Sequence, residues 1–260
     1  MRLRTAVAIT VAATAVAIFS TFKLDSCSRV GGHMAFFGSV SAEREAAISK
    51  SEVLASINAG VFESAEKKVF QFIRGSAAME DKKEVVLEFC KKFGMSALDV
   101  FKSAFSKEFG GDFATPGWKD VPQQKLDIIK SFMCAFDYFG LDGFKAAVDA
   151  TVARTNSVLP KAIIAQSNAG SFPFSCIILQ GLSDAMVERH PEDKSAMLQY
   201  AEAKVRDSSV PFNLRVGLLL AVEAVDPMGL EHIRQDLEID SKLQELATRM
   251  LFKKMSPKKK

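Results

Sequence analysis

Few residues in this 260-residue chain are of types that do chemistry, and their spacing decides what chemistry is open to them. Three histidines occur, His33, His190 and His232. His33 follows Gly31 and Gly32 behind an apolar segment, ahead of any periodic sequence. His190 precedes Pro191 at the end of a helical pattern, where a polar residue commonly closes a turn. His232 and Asp236 are four residues apart, so on a continuous helix they share one face and could hold a metal as a pair. No HExxH pattern and no second ligand pair accompanies them, so they read as a solvated helix face and no metal centre is expected. The cysteines, Cys27, Cys90, Cys134 and Cys176, never form CxxC, which removes zinc-knuckle and redox-pair motifs. Cys90 follows Phe89 and Cys134 follows Met133 on apolar helical stripes, where a thiol acts as a small core hydrophobe. The chain has no nucleophile elbow, P-loop or glycine-rich dinucleotide turn. We therefore expect no catalytic residue and no cofactor.

The remaining candidates sit in a loop and at the C-terminus. Residues 110–121 (GGDFATPGWKDV) hold the only Trp of the chain, Trp118, flanked by Asp112 and Asp120. A Trp among Gly and Pro, off any helical stripe, has the character of an interface anchor; the alternative is that it folds back over the ends of neighbouring helices. Trp118, Phe113, Asp112 and Asp120 are accordingly the candidate binding residues. A second long connection covers residues 156–171, and long connections tend to carry function. At the C-terminus Lys253, Lys254, Lys258, Lys259 and Lys260 form a basic tail that could touch phosphate or an anionic membrane surface.

Charge and composition narrow the class. The net charge of +3 comes from the ends: residues 1–34 sum to +3 and residues 253–260 to +5, leaving residues 35–252 at −5, with 25 basic and 30 acidic groups. A body without a basic excess is not expected to bind nucleic acid specifically. With 48% hydrophobic and 25% charged residues the chain is neither disordered nor coiled coil, and four Cys are too few for a disulfide scaffold. A mean hydropathy of +0.09 excludes a polytopic membrane protein. The apolar run at residues 6–19 (AVAITVAATAVAIF) follows Arg2 and Arg4 and precedes the first acid, Asp25, which is the layout of an export signal or uncleaved anchor. Leu24-Asp25-Ser26 before Cys27 loosely resembles a lipoprotein signal, with Asp25 out of place in it. A basic, acid-free segment also suits a mitochondrial presequence.

The elements that must position these residues are helical. Apolar residues recur at helical spacing over 42–58, 61–74, 79–93, 95–109, 122–139, 141–155, 173–189, 191–206, 211–225 and 228–252. Turns are predicted at Gly60, Gly94, Gly140, His190-Pro191 and Asp226-Pro227, each so short that its helices must run antiparallel. Phe93-Gly94 and Phe139-Gly140 open similar turns 46 residues apart. Residues 212–225 (FNLRVGLLLAVEAV) are apolar all round, as in a helix buried on every side. Gly181 and Gly217 fall inside helices, which suggests close helix–helix approach. The fold expected is all-α: antiparallel hairpins stacked as a degenerate solenoid of the HEAT or TPR kind, or else a compact irregular bundle. Three parts follow: a signal or anchor with linker at 1–34, a helical domain at 35–252 and a basic tail at 253–260. The expected role is a non-enzymatic, exported or membrane-tethered scaffold that binds another protein. The alternatives are a secreted or periplasmic all-α enzyme or small-ligand carrier with a pocket near loops 110–121 and 156–171, and an organelle protein docking on anionic membranes by its tail.

Overall fold

The structure is a computed structural model that describes residues 48–109, 113–114, 122–153 and 172–255. The chain divides into two units, Met1–Ala47 and Ile48–Lys260, and the second holds every described residue. Among those residues eleven α-helices occur: α1 (Lys50–Asn58), α2 (Phe62–Arg74), α3 (Met79–Phe93), α4 (Met95–Phe109), α5 (Gln123–Tyr138), α6 (Gly140–Ala153), α7 (Phe174–Arg189), α8 (Lys194–Arg206), α9 (Phe212–Val225), α10 (Pro227–Gln235) and α11 (Ser241–Met255). A two-residue antiparallel pairing joins β1 (Phe113–Ala114) to β2 (Phe172–Pro173), with Phe113 opposite Pro173. The all-α class expected from periodicity is the one observed.

The turns fall where glycine and proline placed them. Gly94 and Gly140 both take φ +53°, a left-handed conformation that any side chain would resist, so the two similar turns share one backbone solution. Between α7 and α8 the chain makes a 3-10 turn over Pro191–Asp193. Asp226 caps α10 by accepting from Met228 N at 2.9 Å, with Pro227 at the first helical position. Two boundaries depart from the periodic reading. The first helix starts at Lys50 and not at 42, because Ser49 and Glu52 form a capping box and Ser49 is extended; residues 42–47 lie outside the described residues. The predicted helix over 228–252 is two helices. Asp236 accepts from Glu238 N at 3.0 Å and Asp240 from Lys242 N at 2.9 Å, so two acids stabilise a turn where the apolar spacing alone suggested continuity.

Packing follows chain order. α1 lies on α3, α3 on α5, α5 on α7, α7 on α9 and α9 on α11, while α4 lies on α6, α6 on α8 and α8 on α10. The substantial contacts reach at most three helices along the chain, as between α2 and α5 or α6 and α9. One continuous core results, with two characters. In the first half Phe62, Phe70, Phe89, Phe93, Phe101, Phe105, Phe109, Phe132 and Phe136 form a connected run of rings, centroids 5.0–6.2 Å apart, which uses nine of the 21 phenylalanines of the chain. In the second half the core is aliphatic, centred on α9, where Leu214, Leu218, Leu219 and Val222 are buried between α7, α8, α10 and α11.

Gly217 in α9 answers the expectation of close approach: a Cβ there would lie 2.2 Å from Cys176 Sγ of α7. Gly181 does not, since a Cβ there would meet only the Met133 methyl at 4.0 Å. One charge is sealed into the body. Lys82 of α3 is 1% exposed, with its ammonium 3.7 Å from Asp127 Oδ2 of α5, and Asp127 also accepts from Gln123 Nε2 at 2.7 Å. Burial of a lysine is tolerated only with such an opposite charge.

Candidate functional site

A groove of about 620 Å³ runs between α2 and α4. The hairpin connectivity makes these two helices parallel, and the Arg74–Glu108 ion pair, at 3.3 Å, ties their C-terminal ends together. The space arises because α2 and α4 both pack on α3, while α2 reaches past α4 to α5. Its floor is apolar: Phe70, Val100 and Ala104. Its rims carry charge with a polarity along the groove. Glu63, Glu66 and Asp99, with Lys67 among them, lie toward the N-terminal ends of the helices, and Arg74 and Lys107, with Glu108, toward the C-terminal ends, so acids are in excess at one end and bases at the other. The Arg74 guanidinium lies 5.6 Å from the Phe70 ring centroid, so it closes one end of the floor as a cation over a π-face. An apolar floor with charged rims can take an amphipathic segment, whose apolar side chains leave water while its polar flanks stay wet. Sequence reading missed this site. On α4 the exposed Ser103 and Lys107 follow Asp99 at four-residue spacing, with Val100 and Ala104 one position behind. That pattern looks like an ordinary solvated face until α2 is set beside it.

The residues singled out from the sequence fall elsewhere. Trp118, Asp112 and Asp120 lie outside the described residues, as do His33, Cys27, Lys258, Lys259 and Lys260. Phe113 is placed by its backbone in β1, opposite Pro173. That pairing brings the first long loop against the chain that directly follows the second. Lys253 and Lys254 belong to the last turn of α11. His190 stands at the α7–α8 turn, its Nε2 3.6 Å from Asp137 Oδ1 and its Nδ1 4.0 Å from Glu192 Oε1, with Arg189 bonded to the other Asp137 oxygen. His190, Glu192 and Asp193 bring ligand-type atoms within 4.8 Å of one another, but Glu192 is exposed and both acids lie in the turn that opens α8.

The His232–Asp236 face does not exist as read. Asp236 has left the helix as the C-cap of α10 and accepts from Arg206 Nε at 2.7 Å, while His232 Nδ1 meets Glu202 Oε1 at 2.9 Å. Arg206 also donates to Glu202 at 3.0 Å, so the four residues form a strut between α8 and α10. The Arg206 bond, and after it the Glu238 N–H, hold the Asp236 carboxyl below the usual carboxylate range. The thiols behave as core: Cys90 and Cys176 are buried, and burial pushes each up to about 12.

No family model, curated protein or solved structure matches this chain.

Proposed function

We propose that the helical body is a protein-binding array whose groove between α2 and α4 takes an amphipathic helical segment of a partner. The observation that carries this reading is the groove itself: an apolar floor whose rims have an excess of acids at one end and of bases at the other. Sequential packing supports it, because hairpins that touch only near neighbours in chain order leave extended side-by-side helix faces of the kind that bind other chains. The Glu63 to Arg74 stretch of α2 spans eleven residue steps, roughly 16 Å at 1.5 Å per residue, which matches about three turns of a bound helix. The complementary partner helix carries basic residues over Glu63, Glu66 and Asp99, and acidic ones over Arg74 and Lys107.

A displayed library of amphipathic helices, selected against the full chain, tests this directly. Selected binders are expected to show that charge order and to lose binding to Ser103→Trp, which fills the groove from an exposed position without entering the core. They are also expected to weaken on Asp99→Lys. Binders indifferent to both substitutions would remove the groove from the proposal.

A second reading rests on β1–β2: the pairing of Phe113 with Pro173 favours a small-molecule pocket near loops 110–121 and 156–171. As Trp118 is the single Trp, ligand quenching of its fluorescence tests that reading without labels. Export or membrane tethering through the apolar run at residues 6–19 completes the proposal. No helix among the described residues is long and apolar enough to cross a membrane; in this proposal the tether is the apolar run itself or an acyl group on Cys27. Mass spectrometry of the mature N-terminus decides between retention, cleavage and lipidation.

A further inference from the structure

On the other flank of α4 lies a cluster that the groove does not use. Asp149 of α6 accepts from three donors on two other helices: Tyr200 OH of α8 at 2.7 Å, Lys204 Nζ of α8 at 3.0 Å and Lys102 Nζ of α4 at 3.1 Å. Lys145, one turn before Asp149, sets its ammonium 5.9 Å from the Tyr200 ring centroid, and the Lys204 ammonium lies 5.3 Å from the same point. Three lysines thus converge on one carboxylate and one phenol.

Asp149 is shared by two lysines, where Asp137 is shared by Arg189 and His190 and Glu202 by Arg206 and His232; the other lysines and arginines stand differently. Lys194 meets Asp226, Lys82 meets Asp127, Lys50 meets Asp81 and Glu84, and Arg206 meets Glu202 and Asp236. There a cation faces one acid or two. At Asp149 one acid faces two lysines, with Lys145 a third close by and Asp207 the further acid that feels the charge of Lys204, so cations outnumber acids there in a body whose net charge is −5. The lysines that hold Asp149 are only partly hydrated, Lys102 at 38% and Lys204 at 28% exposure, which strengthens their attraction for an incoming anion.

Asp149 and Lys204 hold their charges through neutral pH. Burial pushes the Asp149 carboxyl up, but the bonds from Tyr200, Lys204 and Lys102 outweigh it and hold the group below its ordinary value. Burial pulls Lys204 down, and the bond to Asp149, the Asp149 charge and Tyr200 together outweigh that and raise it. An ammonium has three N–H donors, so Lys102 and Lys204 each keep donors beyond the one spent on Asp149, and Lys145 spends none there.

We propose that Lys102, Lys145 and Lys204 form a binding site for a phosphoryl dianion, with Asp149 as the residue that positions two of the three lysines. The charge of a phosphate monoester, close to −2 at neutral pH, suits three converging lysines better than the single charge of a carboxylate. Its three terminal oxygens can each accept from a different ammonium.

Calorimetric titration of the full chain at low ionic strength, with inorganic phosphate in one arm and a phosphoserine peptide in the other, tests the site. Saturable binding is expected in at least one arm. Lys145→Gln is expected to weaken it about tenfold, as the loss of one charge-assisted donor implies, while leaving the melting curve unchanged because Lys145 holds no ion pair described here. Lys102→Gln and Lys204→Gln weaken it at least as much, and Lys194→Gln, at the opposite end of α8, leaves it unchanged. Binding should fall between about pH 8 and pH 5 as the phosphate itself is protonated, but sulfate, doubly charged throughout, should show no such fall. Tighter binding of the peptide places the ligand on a partner protein; equal binding in the two arms indicates a small phosphate ester. Absence of saturable binding in both arms, or a Lys145→Gln protein that binds like the parent, overturns the proposal. Ser103→Trp blocks the groove and not this cluster, so the two readings fail separately.

Discussion

Raising the pH above 9 should destabilise this protein through two thiols that play no part in binding. Cys90 and Cys176 are buried on α3 and α7, and burial moves each from an ordinary value of 9.0 to about 12. The neighbouring Cys134 adds to the effect at Cys90, and a bond from Ser175 slightly opposes it at Cys176. Between those two values the unfolded chain has lost the proton that the folded chain still holds. The folded state therefore binds more protons, and stability declines as pH rises. The contribution is fully present below about pH 9, falls by about 1.4 kcal/mol per pH unit for each thiol, and levels off near pH 12. At about pH 10.5 each thiol has cost roughly 2 kcal/mol and the pair roughly 4 kcal/mol, a large share of the 5–15 kcal/mol typical of a domain. Urea unfolding followed by circular dichroism, at several values between about pH 8 and pH 10.5, compares the parent with the Cys90→Ala/Cys176→Ala protein. Lysines and tyrosines titrate in the same range in both proteins, so the difference between the two slopes isolates the thiols. The variant is expected to begin less stable, because of the cavities, and then to lose about 4 kcal/mol less than the parent over that range. Parallel pH profiles would refute the argument, because they would mean that the thiolates are accommodated in the folded state.

Two further substitutions probe packing. Gly217→Ala places a methyl 2.2 Å from Cys176 Sγ; overpacking of about 1–3 kcal/mol should exceed the roughly 1 kcal/mol gained in helix propensity. Combined with Cys176→Ala, the same change should cost distinctly less than the sum of the two alone, and strict additivity would disprove the contact. At the buried pair, Asp127→Ala strands the Lys82 ammonium and should cost about 3–5 kcal/mol, while Lys82→Met should be close to neutral because Gln123 still serves Asp127. Chemical denaturation of both variants reads the order, and a larger loss for Lys82→Met would contradict it.

The helices, the five turns and the buried character of α9 could be read from the sequence, because each depends on residues close together in the chain. Gly94 and Gly140 announce left-handed closures by residue type alone, and the apolar stripe of α3 needs no partner to be visible. The break at Asp236 could not be read from periodicity, since Leu230, Ile233 and Ile239 keep an apolar rhythm across it; the caps at Asp236 and Asp240 had to outweigh that rhythm. Leu237, 93% exposed, shows that one of the apolar positions there was never core. The binding features were hidden for a different reason. Groove residues come from α2 and α4, and the lysine cluster from α4, α6 and α8, so no local spacing joins Phe70 to Ala104 or Lys102 to Lys204. The residues that local reading favoured, Trp118 with Asp112 and Asp120, stood out by composition.

Because each helix finds its partners within three helices along the chain, the order of synthesis is also an order in which structure can form. A hairpin leaving a ribosome or a membrane pore can bury its apolar stripe against the hairpin already outside, with no need to wait for the last residues. Low sequence separation between contacts favours rapid folding, and the time during which apolar faces stand open is correspondingly short. The phenylalanine-rich first half could thus assemble as a seed, on which the aliphatic second half is laid down in turn.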